Sequence, residues 1–289
     1  MLGDMKESVT LNNGVEMPLV GYGVFQVNPA ECERCVSDAL AVGYRSIDTA
    51  QAYYNEEGVG NAWRKSGIAR EELFLTTKVW VSNAGEKKAA ESIDTSLRKL
   101  QTDYIDLLLI HQAYNDYYGT YRAMEAALRA GKVRAIGVSN FYYDRFLDIA
   151  EYMEIKPAVN QIEASAFSQQ WLMQEVMERY GTKLMAWGPL AEASPAFFAN
   201  ETLQSIAAAH GKTVAQVALR FLTQRGIIVI PKSVRRERMV ENFDCMGFEL
   251  SPAEMESIRA LDMGHGAVVN FSDPQAMLGL FGIIRQYQV

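Results

Sequence analysis

The chain has 289 residues, 49% of them hydrophobic, and a net charge of −7. That length can bury a large core and fits one α/β barrel or two smaller domains, and the acidic balance argues against nucleic acid or an anionic membrane as the main partner. No window of about 18 apolar residues marks a membrane helix, and the opening MLGDMKESVTLNNG lacks the apolar core of a signal peptide, so the cytosol is the expected compartment.

SVTLNNGVEMPLV carries two short strand-like runs around Asn12-Asn13-Gly14, a hairpin signal. A hairpin has no parallel partner, so it is expected to plug or cap one end of the domain. GYGVFQV follows as a first parallel strand. Its Gly21 and Gly23 make G-x-G without the third glycine of a dinucleotide fingerprint. Asn28-Pro29, with Glu31 after them, opens a helix to about Val42. Cys32 and Cys35 form C-x-x-C inside it. No thioredoxin-like context surrounds the pair, so it reads as two positions of an amphipathic helix rather than a redox couple. With Cys245 the count is odd, which fits a reducing compartment.

The pattern then repeats. Strand-like runs occur at 44–48 (YRSID), 73–79 (LFLTTKV), 104–111 (YIDLLLIH), 133–139 (VRAIGVS), 158–163 (AVNQIE), 183–188 (KLMAWG) and 226–231 (GIIVIP), with helix-period segments between them. Their starts are spaced by roughly 24 to 31 residues, and by roughly 44 in the last interval, as βα units with one insertion would be. Counting GYGVF there are eight, so a (β/α)8 TIM barrel forming one domain over residues 1–289 is expected, with an open doubly wound sheet as the alternative. NEEGVGNAWRKSG reads as a helix capped by Asn55. The insertion reads as a loop, AEASPAFFAN, followed by two helical pieces. The Gly- and Pro-punctuated tail after Asp262 is expected to wrap over a barrel end.

Barrel chemistry gathers at the carboxyl ends of the strands. Those ends present Asp48, Lys78 and His111 from three consecutive strands, with Tyr53 or Tyr54 in the loop after the first. Each alone has a structural reading: an ion pair, a core histidine, a packed tyrosine. Together they make a proton donor. Free tyrosine, with a pKa near 10, gives up its proton reluctantly. A lysine ammonium beside it lowers that pKa, an aspartate orients the lysine, and a neutral histidine hydrogen-bonds a carbonyl oxygen. No H-E-x-x-H, cysteine/histidine cluster, G-x-S-x-G or P-loop competes with this set, so no metal is expected. A second group, IPKSVRRERMVENF, puts Lys232, Ser233, Arg235, Arg236 and Arg238 after the eighth strand, where barrels bind phosphate; a solvated basic helix face is the alternative.

The runs DTAQAYYNEEGVG, LFLTTKVW, IDLLLIH, GKVRAIGVSNF, PAVNQIE, AWGPL and IPKSVRRERMVENF stand in an order and spacing that resemble the aldo-keto reductases over nearly the whole chain. The chain looks closest to the bacterial branch holding 2,5-diketo-D-gluconate, prostaglandin F synthase-like and methylglyoxal reductases. The resemblance implies NADPH-dependent reduction of aldehydes or ketones (dicarbonyls, keto-sugars or aromatic aldehydes) by direct hydride transfer, and a monomer acting on a small carbonyl substrate. It implies a tetrad of Asp48, Tyr53, Lys78 and His111, with Tyr53 and not Tyr54 as the acid. It also implies Ser139, Asn140 and Gln161 on the nicotinamide carboxamide, Trp187 stacked on its ring, and Gly188, Pro189 and Leu190 along the pyrophosphate. Lys232, Ser233 and Arg238 would take the 2′-phosphate, with Val234 and Arg235 beside them and Glu241 and Asn242 near adenine. Gly23, Val24 and Phe25 complete the implied cofactor contacts. Phe25, Trp80, His111 and Phe271 form the implied substrate wall. Ala113 and the NQIEASAF run depart from the family pattern near the mouth, and the tail matches poorly, which bears on substrate preference rather than on chemistry.

Overall fold

The apolar runs become strands that pair in the order in which they occur. The computed structural model describes residues 8–289; residues 1–7, the start of the stretch expected to lack a signal-peptide core, lie outside the described residues. The hairpin forms first, from β1 (Ser8–Thr10) and β2 (Glu16–Pro18), antiparallel about a turn in which Gly14 has φ 84°. Asn12 and Asn13 donate to Pro157 O (3.1 Å) and Arg134 O (2.8 Å), at the starts of two barrel strands. The hairpin therefore caps the end of the barrel opposite the chemistry.

Eight parallel strands follow: β3 (Tyr22–Gly23), β4 (Ser46–Asp48), β5 (Phe74–Val79), β6 (Ile105–Ile110), β7 (Val133–Ser139), β8 (Val159–Glu163), β9 (Lys183–Trp187) and β10 (Ile228–Val229). Each lies beside the next, and the last meets the first. Val20 bridges Val229, Gly21 N–H donates to Val229 O at 2.8 Å, and Val229 N–H donates to Leu19 O at 2.8 Å. This closes the sheet into a (β/α)8 barrel, as the repeat count predicts. The seam is tight: a Cβ on Gly23 would lie 2.8 Å from Ile230 O, so only glycine lets these two backbones approach. Every residue of β5, β6 and β8 is buried, because helices cover the barrel outside and side chains fill it inside.

The helices start and stop where the sequence signals them. Asn28 Oδ1 accepts from Ala30 N–H at 3.0 Å and opens Pro29–Val42. In that helix Cys32 and Cys35 are buried free thiols. Burial pushes the Cys32 thiol up to about 12, which removes any thiolate at neutral pH.

Two local expectations fail. Asn55 occupies the cap position of helix Glu56–Ser66 but makes no capping bond. Its amide instead donates to Val24 O (3.0 Å) and Val27 O (3.3 Å), and its carbonyl accepts from Thr49 Oγ1 (2.7 Å). Buried, Asn55 spends its hydrogen bonds bracing the mouth loops, which local helix pattern cannot reveal. AEASPAFFAN is not a plain loop either. Ser194 caps a short helix, Pro195–Phe198, whose Phe197 is fully buried against Phe167 and Phe198. The helical pieces Glu201–His210 and Val214–Gln224 follow as expected. The tail ends in a helix, Pro274–Gln286, capped by Asp273, that lies across the barrel mouth. Among the described residues, no helix is long and apolar enough to cross a membrane.

Candidate active site

Successive strands deliver the polar residues to one rim. Asp48 is the last residue of β4, Lys78 sits near the end of β5, and His111 directly follows β6. Tyr53 stands in the single helical turn Gln51–Tyr53 that leaves β4. Lys78 is fully buried. Its Nζ donates to Asp48 Oδ1 at 2.5 Å, to Thr49 O at 2.9 Å and to Tyr53 Oη at 3.4 Å. Gln161 Nε2 reaches from β8 to the other carboxylate oxygen, Asp48 Oδ2, at 2.8 Å. The ring of His111 meets Tyr53 edge-on at 5.5 Å and Trp80 at 4.8 Å. Asp48, Tyr53, Lys78 and His111 therefore converge, and their apolar surround is Trp80 and Phe25, whose ring lies 5.1 Å from Tyr53.

Burial dominates the electrostatics here. It raises the Asp48 carboxyl and lowers the Lys78 ammonium, and the contact between the two opposes both shifts. His111 is held well below the usual imidazole range, first by burial and then by the Lys78 charge, so it is neutral at pH 7. Its Nδ1 is buried without a hydrogen-bond partner. For Tyr53 the direction is opposite to the sequence expectation. Burial pushes the phenol well above its ordinary value, and Asp48 and Glu192 add to the shift. The nearby lysine does not outweigh desolvation, so the phenol keeps its proton.

On the adjoining lip, Ser139 Oγ donates to Gln161 O at 2.9 Å and Asn140 Nδ2 donates to His111 O at 3.2 Å. The Trp187 indole N–H donates to Asn140 Oδ1 at 2.9 Å. Asn140 has φ 60°, a left-handed backbone that turns its amide into this network. Ser139, Asn140, Gln161 and Trp187 thus share one bonded lip. Pro189 is buried and Leu190 packs on the core, so of the three residues after Trp187, Gly188 leads the bend to Ala191, Glu192 and Ala193, all with positive φ.

The basic group surrounds the start of helix Arg236–Phe243. Lys232, Arg235, Arg236 and Arg238 are exposed and form no ion pair among the described residues. Ser233 accepts from Arg235 N–H at 3.1 Å, and Tyr22 Oη donates to Ser233 O at 2.5 Å, which fixes the loop. Val234 is exposed beside them, Asn242 is buried, and Glu241 accepts from Thr213 Oγ1 at 2.7 Å.

The structure does not bring together every anticipated contact. Val24 is fully buried in the core, its N–H donates to Asp48 O, and its C=O accepts from the Asn55 amide. Phe271 packs on Tyr142 at 4.7 Å, and among the described residues it makes no ring contact with Tyr53, His111 or Trp80. The tail's contribution comes from further along. Ile284 packs on Trp80 and Ala52, Phe281 lies 4.6 Å from Tyr114, and Tyr287 O accepts from the Trp80 indole at 2.9 Å. Tyr54 is also more than packing, since its hydroxyl donates to Gln288 O at 3.0 Å. The apolar spacing within MLGLFGII after Asp273-Pro274 is the sequence signal that marks this helix.

A family model described as the aldo/keto reductase family matches residues 19–263. The chain belongs to the aldo/keto reductase family. This aldo-keto reductase is 46% identical over 260 residues to the glyoxal reductase of Bacillus subtilis (strain 168), covering 89% of this chain and 94% of that protein. It is 40% identical over 263 residues to the methylglyoxal reductase DkgA of Yersinia pestis, covering 90% and 94%. Among solved structures, the Bombyx mori aldo-keto reductase in complex with NADP superposes with a TM-score of 0.86 at 32% identity, covering 93% of this chain and 96% of that one. The enzyme is thus a carbonyl-reducing oxidoreductase of that family.

Proposed function

We propose that this enzyme reduces small aldehydes and ketones, α-dicarbonyls such as glyoxal and methylglyoxal foremost, with NADPH, and that Tyr53 supplies the proton. The observation that carries the reading is one buried ammonium, Lys78 Nζ, held by Asp48 at 2.5 Å and in reach of the Tyr53 hydroxyl at 3.4 Å. The dicarbonyl class rests on the two named relatives.

The residues fit the cofactor by their chemistry. Four cations without ion-pair partners among the described residues, together with the Ser233 loop at a helix start, suit a phosphomonoester. That favours NADPH, which carries a 2′-phosphate, over NADH; Lys232, Ser233 and Arg238 would hold that group, with Arg235 beside them. Ser139, Asn140 and Gln161 carry amide and hydroxyl groups suited to a carboxamide, and Trp187 offers an indole face next to them. When bound, the cofactor's contribution is a hydride for the carbonyl carbon.

This chain's residues do the rest. Neutral His111 donates a hydrogen bond to the carbonyl oxygen and fixes its direction. Tyr53, partly buried and with desolvation holding its phenol protonated, is loaded as the acid. As negative charge builds on the oxygen the phenol releases its proton, and the Lys78 ammonium stabilises the phenolate left behind. Asp48 keeps Lys78 charged and aimed, and Gln161 holds Asp48. The aromatic wall excludes water. Following NADPH absorbance with methylglyoxal tests the reading. Turnover that survives at wild-type rate in Tyr53→Phe removes the acid assignment, and cofactor binding with no turnover of any aldehyde removes the reductase reading.

A further inference from the structure

Glu163 ends β8 at the barrel mouth, and its carboxyl is fully buried. No cation pairs with it among the described residues. Its oxygens are met instead by backbone of the tail: Oε1 accepts from the N–H groups of Ala267 (2.5 Å) and Val268 (2.8 Å), and Oε2 from Val269 (3.0 Å). A buried carboxylate without such partners is costly, and here consecutive amides form a small anion-binding nest around it. The turn that makes the nest has no spare room. A Cβ on Gly266 would fall 2.0 Å from Val269 O and 2.9 Å from Glu163 Oε2.

The tail is tied down again at its far end. Trp80 donates to Tyr287 O, Tyr54 to Gln288 O, and Val289 N–H donates to Ser82 Oγ at 3.2 Å. Between the two anchorages, helix Pro274–Gln286 lays Ile284 on Trp80 and Ala52, with Tyr53 against the same cluster. The segment from Gly266 to Val289 is therefore a strap across the mouth, fixed at one end by a single carboxylate and at the other by side chains flanking Tyr53 and His111.

We propose that Glu163 is a positioning residue for the reduction: its carboxylate seats the strap, and the seated strap sets the roof over the carbonyl group that Tyr53 and His111 address. The assignment of the reacting centre is the one made above. Glu163 touches neither Tyr53 nor His111, so its effect falls on how substrate is held rather than on the proton-transfer step.

The test uses the full chain. Glu163→Gln keeps the shape but turns one acceptor into a donor facing a backbone N–H. Gly266→Ala disturbs the same nest from the tail without altering a barrel residue. Amide hydrogen exchange at 267–269 should speed by about tenfold or more in both variants, while exchange in β5 and β6 stays as in wild type. KM for methylglyoxal should rise by about tenfold, with kcat within about threefold and NADPH affinity unchanged. Wild-type exchange at 267–269 in both variants overturns the proposal. Faster exchange with an unchanged KM overturns the roof, and parallel losses of kcat, NADPH affinity and thermal stability reduce Glu163 to a fold-maintaining role. If the wild-type enzyme reduces no dicarbonyl, the proposed function fails while the exchange measurement still decides whether Glu163 seats the strap.

Discussion

Lys78 Nζ lies 2.5 Å from Asp48 Oδ1 and 3.4 Å from Tyr53 Oη, so a single buried ammonium is shared between a carboxylate and a phenol. Replacing Lys78 with Met should lower kcat for aldehyde reduction by about 10²-fold or more, since the phenolate loses its counter-charge. It should also destabilise the fold by about 3–5 kcal/mol, because Asp48 is left buried and unpaired. Steady-state kinetics and denaturant unfolding read the two effects separately. Tyr53→Phe should lose activity on the same scale with stability nearly unchanged.

His111 supplies a pH signature. Its folded-state pKa is depressed, so its contribution to stability is present above the unfolded imidazole value of about 6.5 and is lost as pH falls toward the folded value. Unfolding free energy should therefore decline between pH 7 and pH 5 by more in wild type than in His111→Asn. The same depression predicts no limb in the kcat profile at the ordinary imidazole value. A limb centred near pH 6.5 would show that His111 titrates as an exposed histidine and is not the neutral donor.

The unpaired cations after β10 predict cofactor choice. Lys232→Ala and Arg238→Ala should each weaken NADPH binding by about tenfold or more, the worth of a charge-assisted hydrogen bond, and leave NADH binding nearly unchanged. Fluorescence titration with both nucleotides in each variant measures the ratio. If the ratio stays at the wild-type value, the 2′-phosphate lies elsewhere.

Asn55 predicts a stability effect distant from the chemistry. It satisfies Val24 O, Val27 O and Thr49 Oγ1 in the interior. Asn55→Ala should cost about 2–4 kcal/mol, because Val27 O loses its side-chain donor and the buried Thr49 hydroxyl its acceptor, while Val24 O keeps only the Val27 N–H. It should also raise KM, since the loops it braces carry Phe25 and Tyr53. Chemical denaturation gives the first number and initial rates give the second.

The barrel was legible because its signal is repetitive: eight apolar runs at βα spacing place Asp48, Lys78 and His111 on one rim without any alignment. Family spacing separated Tyr53 from Tyr54. What sequence reading could not supply was each side chain's third-dimension partner. Asn55 looked like a helix cap because cap chemistry is local, whereas its amide donates to carbonyls 28 and 31 residues upstream. Tyr53 was expected to have a lowered pKa because a lysine stood nearby, but desolvation among residues distant in sequence, which reverses the direction, has no local pattern. Phe271 was expected at the substrate wall, whereas it packs on Tyr142, and Ile284, Phe281 and the Tyr287 carbonyl meet Trp80 and Tyr114. Val24, grouped with Gly23 and Phe25 by the family resemblance, is buried in the core, whereas Phe25 is exposed.

The barrel seam has a consequence for how the enzyme comes into being. Val20 and Val229, which close it, are roughly 200 residues apart in sequence, so the loop-closure entropy of that pairing is met only after most other strands have found their neighbours. The loop carrying Lys232 to Arg238 leaves the closing strand at once. If that loop holds the nucleotide phosphate as proposed, during synthesis and refolding the gain of NADPH affinity should be the last property to emerge, after secondary structure and after burial of the tryptophans.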